Sequence, residues 1–378
     1  MLSKKNPIQK SIEKNHSFII QLNESGIICP VYYGDHSLKW LQQRFNKTNS
    51  KSGCFILVDE NTRKHCLPLL LPQIRCFENS IIIEIPQGEE YKDIEYCQQI
   101  WEMLLEEGAN RNSVIINLGG GVLCDLGGFA ASVYKRGIPF IHIPTTLLAM
   151  TDAAIGGKTA VNSGHLKNVI GNFSFPEAVL IMPEFLNSLP ESHYQSGFAE
   201  VIKHATIGDP LLWKKLLKQE IHLSSEEMIT HSIALKTKIV NEDPLEHGKR
   251  RILNFGHTIG HALESFFAKK GKRISHGEAV AAGMVCECML SHTFCKLSMQ
   301  ESDEIICFIQ KHFSLPQFKK DDISGICSYI RNDKKNTEAD TAGFSLLSKI
   351  GKCEFNCQVS YKKIEESLLA YLQKNKAE

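Results

Sequence analysis

Net charge is what this chain most conspicuously lacks. Its 378 residues carry 43 Lys and Arg against 42 Asp and Glu, a formal charge of +1. A general nucleic-acid binder or a polybasic membrane protein draws on a cationic excess that is not there. Any anionic ligand must therefore be caught by local clustering of cations. Cysteine is plentiful but unpatterned: there are 13, an odd number, with no CxxC pair. Cys286 and Cys288 lie two apart in a helical pattern and the rest are scattered. The polar, basic stretch Met1 to His16 has no apolar run behind it, so it reads as a loose tail and not as a leader. Without a secretory context a disulfide framework is not expected. No run of about 18 apolar residues is present, so no transmembrane helix is expected. These absences point to a soluble, cytoplasmic protein of a reducing compartment, with neither nucleic acid nor membrane as partner.

With 43% hydrophobic and 22% charged residues, the chain has globular composition and ample length for two domains. Phe55 to Val58, Ser80 to Ile85, Ser113 to Leu118 and Pro139 to Ile143 read as strands, and Tyr91 to Glu107 has helical spacing between two of them. Strands alternating with helices predict βαβ units and a mostly parallel, Rossmann-like sheet. From Pro183 onward apolar residues recur at three and four, in Ile229 to Val240, Thr258 to Phe267, Glu278 to Phe294 and Glu301 to Phe313. The expected organisation is an α/β nucleotide-binding domain over 1–182, basic tail included, and an all-α domain over 183–378. No internal repeat or low-complexity linker is found, and Asp333 to Thr341 is the most loop-like stretch of the second half.

Val114 to Leu118 runs into Gly119-Gly120-Gly121, and a helical pattern starts at Val122. Strand, glycine turn and helix make a phosphate cradle, because backbone N–H groups and a helix N-terminus can approach a diphosphate. The GxGxxG fingerprint fails at Cys124, so the turn alone is equally a tight βα connection. The chain beyond the turn is richer in groups for phosphates and sugar hydroxyls. Tyr134-Lys135-Arg136-Gly137 leads to Thr145-Thr146, then Asp152, then Gly156-Gly157-Lys158-Thr159-Ala160-Val161-Asn162, then Lys167-Asn168.

Further along, Glu200, Lys203 and His204 fall three and four apart at a helix start, a spacing usual for a surface ion pair. His257 and His261 are at i,i+4 on one face, and His276-Gly277-Glu278 opens the next helix. Three histidines and a glutamate suggest a His₂Glu metal site with an open position, although HExxH is absent. Spacing alone favours His257 and His261 as the ligand pair.

Taken together, the blocks from the glycine turn to Asn168, from Gly197 to His204, and from Glu246 through His261 to Glu278 resemble the 3-dehydroquinate synthase family of sugar phosphate cyclases, relatives of the glycerol dehydrogenase-like fold. Pro86-Gln87-Gly88-Glu89-Glu90-Tyr91-Lys92 fits the family's PxGExxK element, and the likeness covers roughly residues 50 to 360. The resemblance implies NAD⁺ held by Glu89, Lys92, Gly120, Gly121, Val122, Asp125, Thr145, Thr146, Lys158, Lys167 and the Phe185 to Ser188 segment. It implies Zn²⁺ or Co²⁺ on Glu200, His257 and His276, which replaces the i,i+4 pair and leaves His261 to substrate or proton transfer. It implies a heptulosonate phosphate contacted by Asp152, Lys158, Asn168, Lys203, Lys236, Arg250, Asn254, His261 and a lysine of the Asp333-Lys334-Lys335 segment, with Lys335 favoured. Arg136 matches an arginine reaching the neighbouring subunit's phosphate, which implies a homodimer.

The implied reaction turns 3-deoxy-D-arabino-heptulosonate 7-phosphate into 3-dehydroquinate by transient oxidation, phosphate elimination, reduction and aldol closure, a net lyase reaction of the shikimate pathway. Several cations converging on a dianion fit it. Three departures from the family pattern stand out: Cys124 for a glycine beside Asp125, Ala153-Ala154 for a serine pair, and Phe344 to Leu347 where an arginine is usual. The Cys124 substitution is either a small-for-small exchange or a thiol whose alkylation blocks NAD⁺. A sister cyclase of the deoxy-inosose or valiolone type, a metal-dependent polyol dehydrogenase and a non-catalytic binding protein are the rival readings. Both chain ends are read as those of a stand-alone enzyme.

Overall fold

The computed structural model describes residues 17–22, 27–46, 53–74, 77, 79–164, 166–219, 226–331 and 340–375. The chain divides into two compact units, Met1–Pro190 with Ile229–Pro244, and Glu191–Met228 with Leu245–Glu378.

The first unit is built on strands β1 (Ser17–Leu22), β2 (Ile27–Tyr33), β3 (Cys54–Asp59), β4 (Ile81–Ile85), β5 (Val114–Gly119), β6 (Phe140–Pro144), β7 (Lys158–Ser163), β8 (Leu166–Phe173) and β9 (Val179–Ile181). Seven form one sheet in the order β1-β2-β9-β6-β5-β3-β4, parallel except for β1, and β7 pairs with β8 as a separate antiparallel hairpin. The four strands expected from β-branched runs are β3 to β6. Every residue of β5 and β6 is buried, as strands covered on both faces require. The Ile94–Glu106 helix begins where the Asp93 carboxylate accepts from the backbone N–H of Glu95 and Tyr96, at 3.0 and 3.1 Å. It buries Cys97, Ile100 and Leu104 against Phe55, Leu57, Ile83 and Ile115. Cutting Ile100 to Ala removes a core anchor, a change that costs about 2–5 kcal/mol.

Strand order reverses between β3 and β5, since β4 lies beyond β3 on one side and β6 beyond β5 on the other. Ligands of open α/β sheets sit outside the carboxyl ends of the strands at such a switch point. Here that position is the end of β5, where Gly119-Gly120-Gly121 turns into the Gly121–Val133 helix.

The second unit carries the helices Glu191–Gly208, Pro210–Leu217, His257–Lys269, His276–Cys295, Met299–His312, Ile323–Arg331 and Tyr361–Lys374. The His276–Cys295 helix is buried along most of its length, and Ala279, Ala281, Ala282 and Gly283 let neighbours approach it on all sides.

Two sequence-based expectations need correction. The second half is helical but not all-α, because β10 (Thr341–Lys349) and β11 (Lys352–Ser360) form an antiparallel hairpin. Phe344 to Leu347 are buried consecutively, so β10 shows no clean period-two alternation. The single boundary at 182/183 is also too simple. The Glu226–Glu242 helix, expected in the helical domain, belongs from Ile229 to the first unit. Its polar side chains explain this: Asn241 accepts from the Gln21 N–H (2.8 Å) and donates to the Ile19 carbonyl (2.9 Å), and Lys236 pairs with Asp152. Lys334 and Lys335 lie outside the described residues.

Candidate active site

Three side chains far apart in sequence converge in the second unit. Glu200 comes from the middle of the Glu191–Gly208 helix and is fully buried. Its Oε1 stands 3.3 Å from His257 Nε2 and 3.2 Å from His276 Nε2. Ligand atoms of the three can all lie within 4.8 Å of one another. Each is placed by its element. His257 opens its helix, and His276 opens the next one behind a capping box in which Ser275 Oγ accepts from the Glu278 N–H and Glu278 Oε2 from the Ser275 N–H.

Charges around this trio are balanced. Burial alone would raise the Glu200 carboxyl, but Lys203, His257 and the imidazole hydrogen bonds hold it well below the ordinary value. Lys203, almost wholly buried, pairs with Glu200 directly. His276 is opposed by burial yet pushed up to about 10 by its hydrogen bonds to Glu200 and Glu264. His257 moves the other way, lowered by burial against the pull of Glu200. Its Nδ1 faces the Phe255 carbonyl at 3.1 Å, so Nε2 is the nitrogen turned to Glu200. His261, exposed, shares a second candidate group with Glu264 and His276, and its ring meets that of His257 edge-on, 5.2 Å between centroids. One carboxylate and two imidazoles with a position left open are a donor set suited to Zn²⁺ or Co²⁺. Arg250 is buried in the Lys249–Asn254 turn, and the Asn254 amide at its end donates to Glu246 Oε1 at 3.0 Å.

In the first unit the predicted residues fall into three groups. Lys92, buried, donates to Asp125 Oδ2 and to Asn168 Oδ1, both at 2.5 Å. Burial raises the Asp125 carboxyl above its ordinary value against the pull of Lys92. The second group is the glycine turn with the threonines: Thr145 donates its N–H to the Gly119 carbonyl, and Thr146 Oγ1 accepts from the Ala149 N–H. A Cβ on Gly120 would stand 3.1 Å from Thr146 Cγ2, a tight contact that glycine avoids, and the open turn suits a diphosphate. Val122 is half-buried in the first helical turn behind it. The third group is Asp152 and Lys236, which form an ion pair, with Lys236 Nζ also donating to the Asp152 carbonyl at 3.0 Å.

Lys158 begins β7 and is exposed, as is Lys167 on β8. The Phe185 side chain is in the core, and exposed Ser188 donates its hydroxyl to the Phe185 carbonyl at 3.3 Å. Arg136 is exposed beside Lys135, and both hold left-handed backbone, φ 69° and 48°.

Residues 82–196 match the family described as 3-dehydroquinate synthase N-terminal, and residues 197–336 its C-terminal counterpart. A 3-dehydroquinate synthase of Parabacteroides distasonis is 41% identical over 321 residues, covering 84% of this chain and 90% of that protein. The chain belongs to the 3-dehydroquinate synthase family. A second member, from Campylobacter concisus, is 40% identical over 306 residues, 80% of this chain and 87% of that one. Among solved structures, a 2-deoxy-scyllo-inosose synthase superposes with TM-score 0.79 at 25% identity, covering 94% of this chain and 99% of that one. The 2-epi-5-epi-valiolone synthase of Streptomyces hygroscopicus, solved with NAD⁺ and Zn²⁺ bound, gives TM-score 0.74 at 25% identity over 85% of this chain and 92% of its own.

Against the family pattern, Cys124 turns out to be a packing residue. Its thiol is buried in the Gly121–Val133 helix, and burial with the nearby Asp125 pushes it up. Sequence reading gave no role to two residues the structure brings to these groups. Asn162 donates to Glu89 Oε1 (3.0 Å) and accepts from the Asn168 N–H (2.9 Å), joining two predicted elements. Glu264 faces His276 Nδ1 at 3.4 Å, and the signal for it was its place at i+7 from His257 and i+3 from His261 on one helix.

Proposed function

We propose that this chain converts 3-deoxy-D-arabino-heptulosonate 7-phosphate to 3-dehydroquinate and phosphate, with NAD⁺ and a divalent metal, Zn²⁺ or Co²⁺, as its cofactors. The observation that carries the reading is the convergence of Glu200, His257 and His276 in a chain of this family. The Glu200, His257 and His276 side chains would hold the metal, and the glycine turn with Glu89, Lys92, Asp125 and Thr146 the dinucleotide. When bound, the metal polarises a substrate hydroxyl and NAD⁺ takes up and returns a hydride.

The chain's own groups do the rest. Lys203 keeps Glu200 ionised and so competent as a ligand. Buried Arg250 offers a fixed fork to a phosphate or carboxylate, and Lys236, held against Asp152, a second cation. Lys158, Asn168, Asn254 and His261 supply further polar contacts, His261 as an exposed imidazole.

The same reading includes a cytoplasmic homodimer. Strand β8 exposes Leu166, Ile170 and Phe173, and Val133 is exposed next to Ser132, which hydrogen-bonds Asn172 of that strand. Apolar surface of this kind suits a second copy. The left-handed backbone at Lys135 and Arg136 costs on the order of 1 kcal/mol per residue, and such strain is retained where a side chain must be aimed.

The deciding experiment supplies the heptulosonate phosphate, NAD⁺ and Zn²⁺ or Co²⁺ and measures phosphate and dehydroquinate. Phosphate release without net NADH is expected. No phosphate release with either metal overturns the proposal, and steady NADH formation from glycerol would point to a polyol dehydrogenase. A sister cyclase substrate in the same assay separates the remaining reading, which the higher identity to 3-dehydroquinate synthases disfavours.

A further inference from the structure

One carboxylate outside the ligand trio faces the same imidazole from behind. His257, His261 and Glu264 lie at i, i+4 and i+7 on the His257–Lys269 helix, so they form one stripe along it. From that stripe Glu264 Oε2 comes to 3.4 Å of His276 Nδ1, while His276 Nε2 lies 3.2 Å from Glu200 Oε1. The two carboxylates therefore address opposite nitrogens of one ring. Glu264 is nearly buried, its side chain 10% exposed, so its charge is weakly screened by water. The other histidine of the trio is held in the equivalent way by a neutral group, the Phe255 carbonyl at its Nδ1.

We infer that Glu264 is a positioning residue for the metal site: by accepting at His276 Nδ1 it fixes the ring so that Nε2, the nitrogen beside Glu200, is the one presented to the metal. Building on the metal reading above, this assigns a role to a side chain that is not itself among the three ligands. A ligating imidazole left free at its second nitrogen can adopt either tautomer and rotate about its side-chain bonds. A carboxylate at Nδ1 removes both freedoms and makes the ring a stronger donor. The arrangement also divides labour along the helix. His257 meets Glu200 directly, and Glu264 orients the ligand that the next helix supplies. His261 sits between them with its ligand atom within 4.8 Å of the Glu264–His276 pair. Glu264 reaches the ring on the edge away from Glu200, which suits it to orient His276 and not to replace it.

The test uses the full chain and Co²⁺ as the probe. Affinity is measured by competition with a chromophoric chelator, and the visible Co²⁺ spectrum reports the coordination geometry. Glu264→Ala is expected to weaken Co²⁺ binding about 10–100-fold and to alter the spectrum. Glu264→Gln, which keeps an acceptor oxygen but no charge, should recover part of the affinity. Apo-protein circular dichroism and melting check that both variants fold; if Ala fails there, the comparison rests on Gln alone, expected a few-fold weaker than the parent. Variants that bind Co²⁺ within twofold of the parent, with an unchanged spectrum, overturn the inference while leaving the proposed function intact. A parent chain that takes up no Co²⁺ overturns the metal reading itself, and the role of Glu264 falls with it.

Discussion

Gly277 and Ser196 approach so closely that a Cβ on the glycine would lie 2.5 Å from the serine Cα, and 3.0 Å from the Gln195 carbonyl oxygen. Both obstacles are backbone, which cannot swing aside as a long side chain does. The contact brings the first turn of the His276–Cys295 helix against the helix that carries Glu200, and so sets the His276 to Glu200 distance. Gly277→Ala should force those helices apart. The expected outcome is at least a tenfold loss of Zn²⁺ or Co²⁺ affinity with about 1–3 kcal/mol of lost stability, the usual effect of overpacking. Metal titration and urea unfolding measure the two, and normal metal affinity in the variant would refute this account of the glycine.

Direct removal of a ligand should behave differently. His257→Ala leaves the helices in place but takes one imidazole from the trio, so the fold should persist while bound metal is lost. Turnover is expected to fall by about 10³-fold or more, because each site of this kind depends on an intact ligand set. Binding of NAD⁺, assigned to the first unit, should be unchanged within about twofold. Full activity in a demonstrably metal-free His257→Ala protein would be the opposing result.

How much of this was legible in the chain depends on how each residue is fixed. Strands β3 to β6 announced themselves as β-branched runs, and His276 as the opening of a helix. Spacing alone favoured His257 with His261, because i,i+4 neighbours share a face whether or not a third group meets them, whereas the cluster around Glu200 draws His276 from another helix. Glu200 and His276 are 76 positions apart, and only packing of their helices joins them. The hairpin β7–β8 was hidden for another reason: its polar residues look like a binding loop, and its order comes from Asn162 and the Lys92 carbonyl, which accepts the Asn162 N–H at 2.7 Å.

That asparagine gives a sharper prediction. Asn162→Asp preserves shape and the acceptor for Asn168, but it sets a carboxylate oxygen against Glu89 Oε1, where an amide now donates at 3.0 Å. Like charges at that separation repel, so the Glu89 to Lys92 element should shift. NAD⁺ binding is expected to weaken roughly tenfold, equivalent to about 1.4 kcal/mol, with stability little changed. Calorimetric titration decides it, and an unaltered dissociation constant would show that Asn162 has no part in ordering the element.

Cys124 should resist alkylation in the folded protein. It is 1% exposed, and burial first, then Asp125, raises its thiol, so little thiolate is available. Cys307 is exposed and should be labelled by iodoacetamide first. Peptide mapping after limited treatment is expected to find Cys307 modified, Cys124 unmodified and NAD⁺ affinity retained. Early modification of Cys124 in native protein would contradict its place in the core.

The acid limb of stability should carry the mark of His142. It lies in the middle of β6, 3% exposed, accepting at Nδ1 from the Asn117 side-chain amide at 3.1 Å. Burial lowers it to about 3 in the folded chain, whereas an unfolded histidine titrates near ~6.5. Between those two values the unfolded chain binds a proton that the folded chain does not, so the free energy of unfolding rises with pH across the window. The contribution of His142 is thus fully present above about pH 6.5 and is lost on acidification toward 3, at up to ~1.4 kcal/mol per pH unit. His142→Asn is expected to lower stability at neutral pH and also to flatten the slope between pH 6 and 4, as read from urea midpoints. A variant that loses stability at neutral pH but keeps the parent's slope would show that His142 is not the group being charged on unfolding.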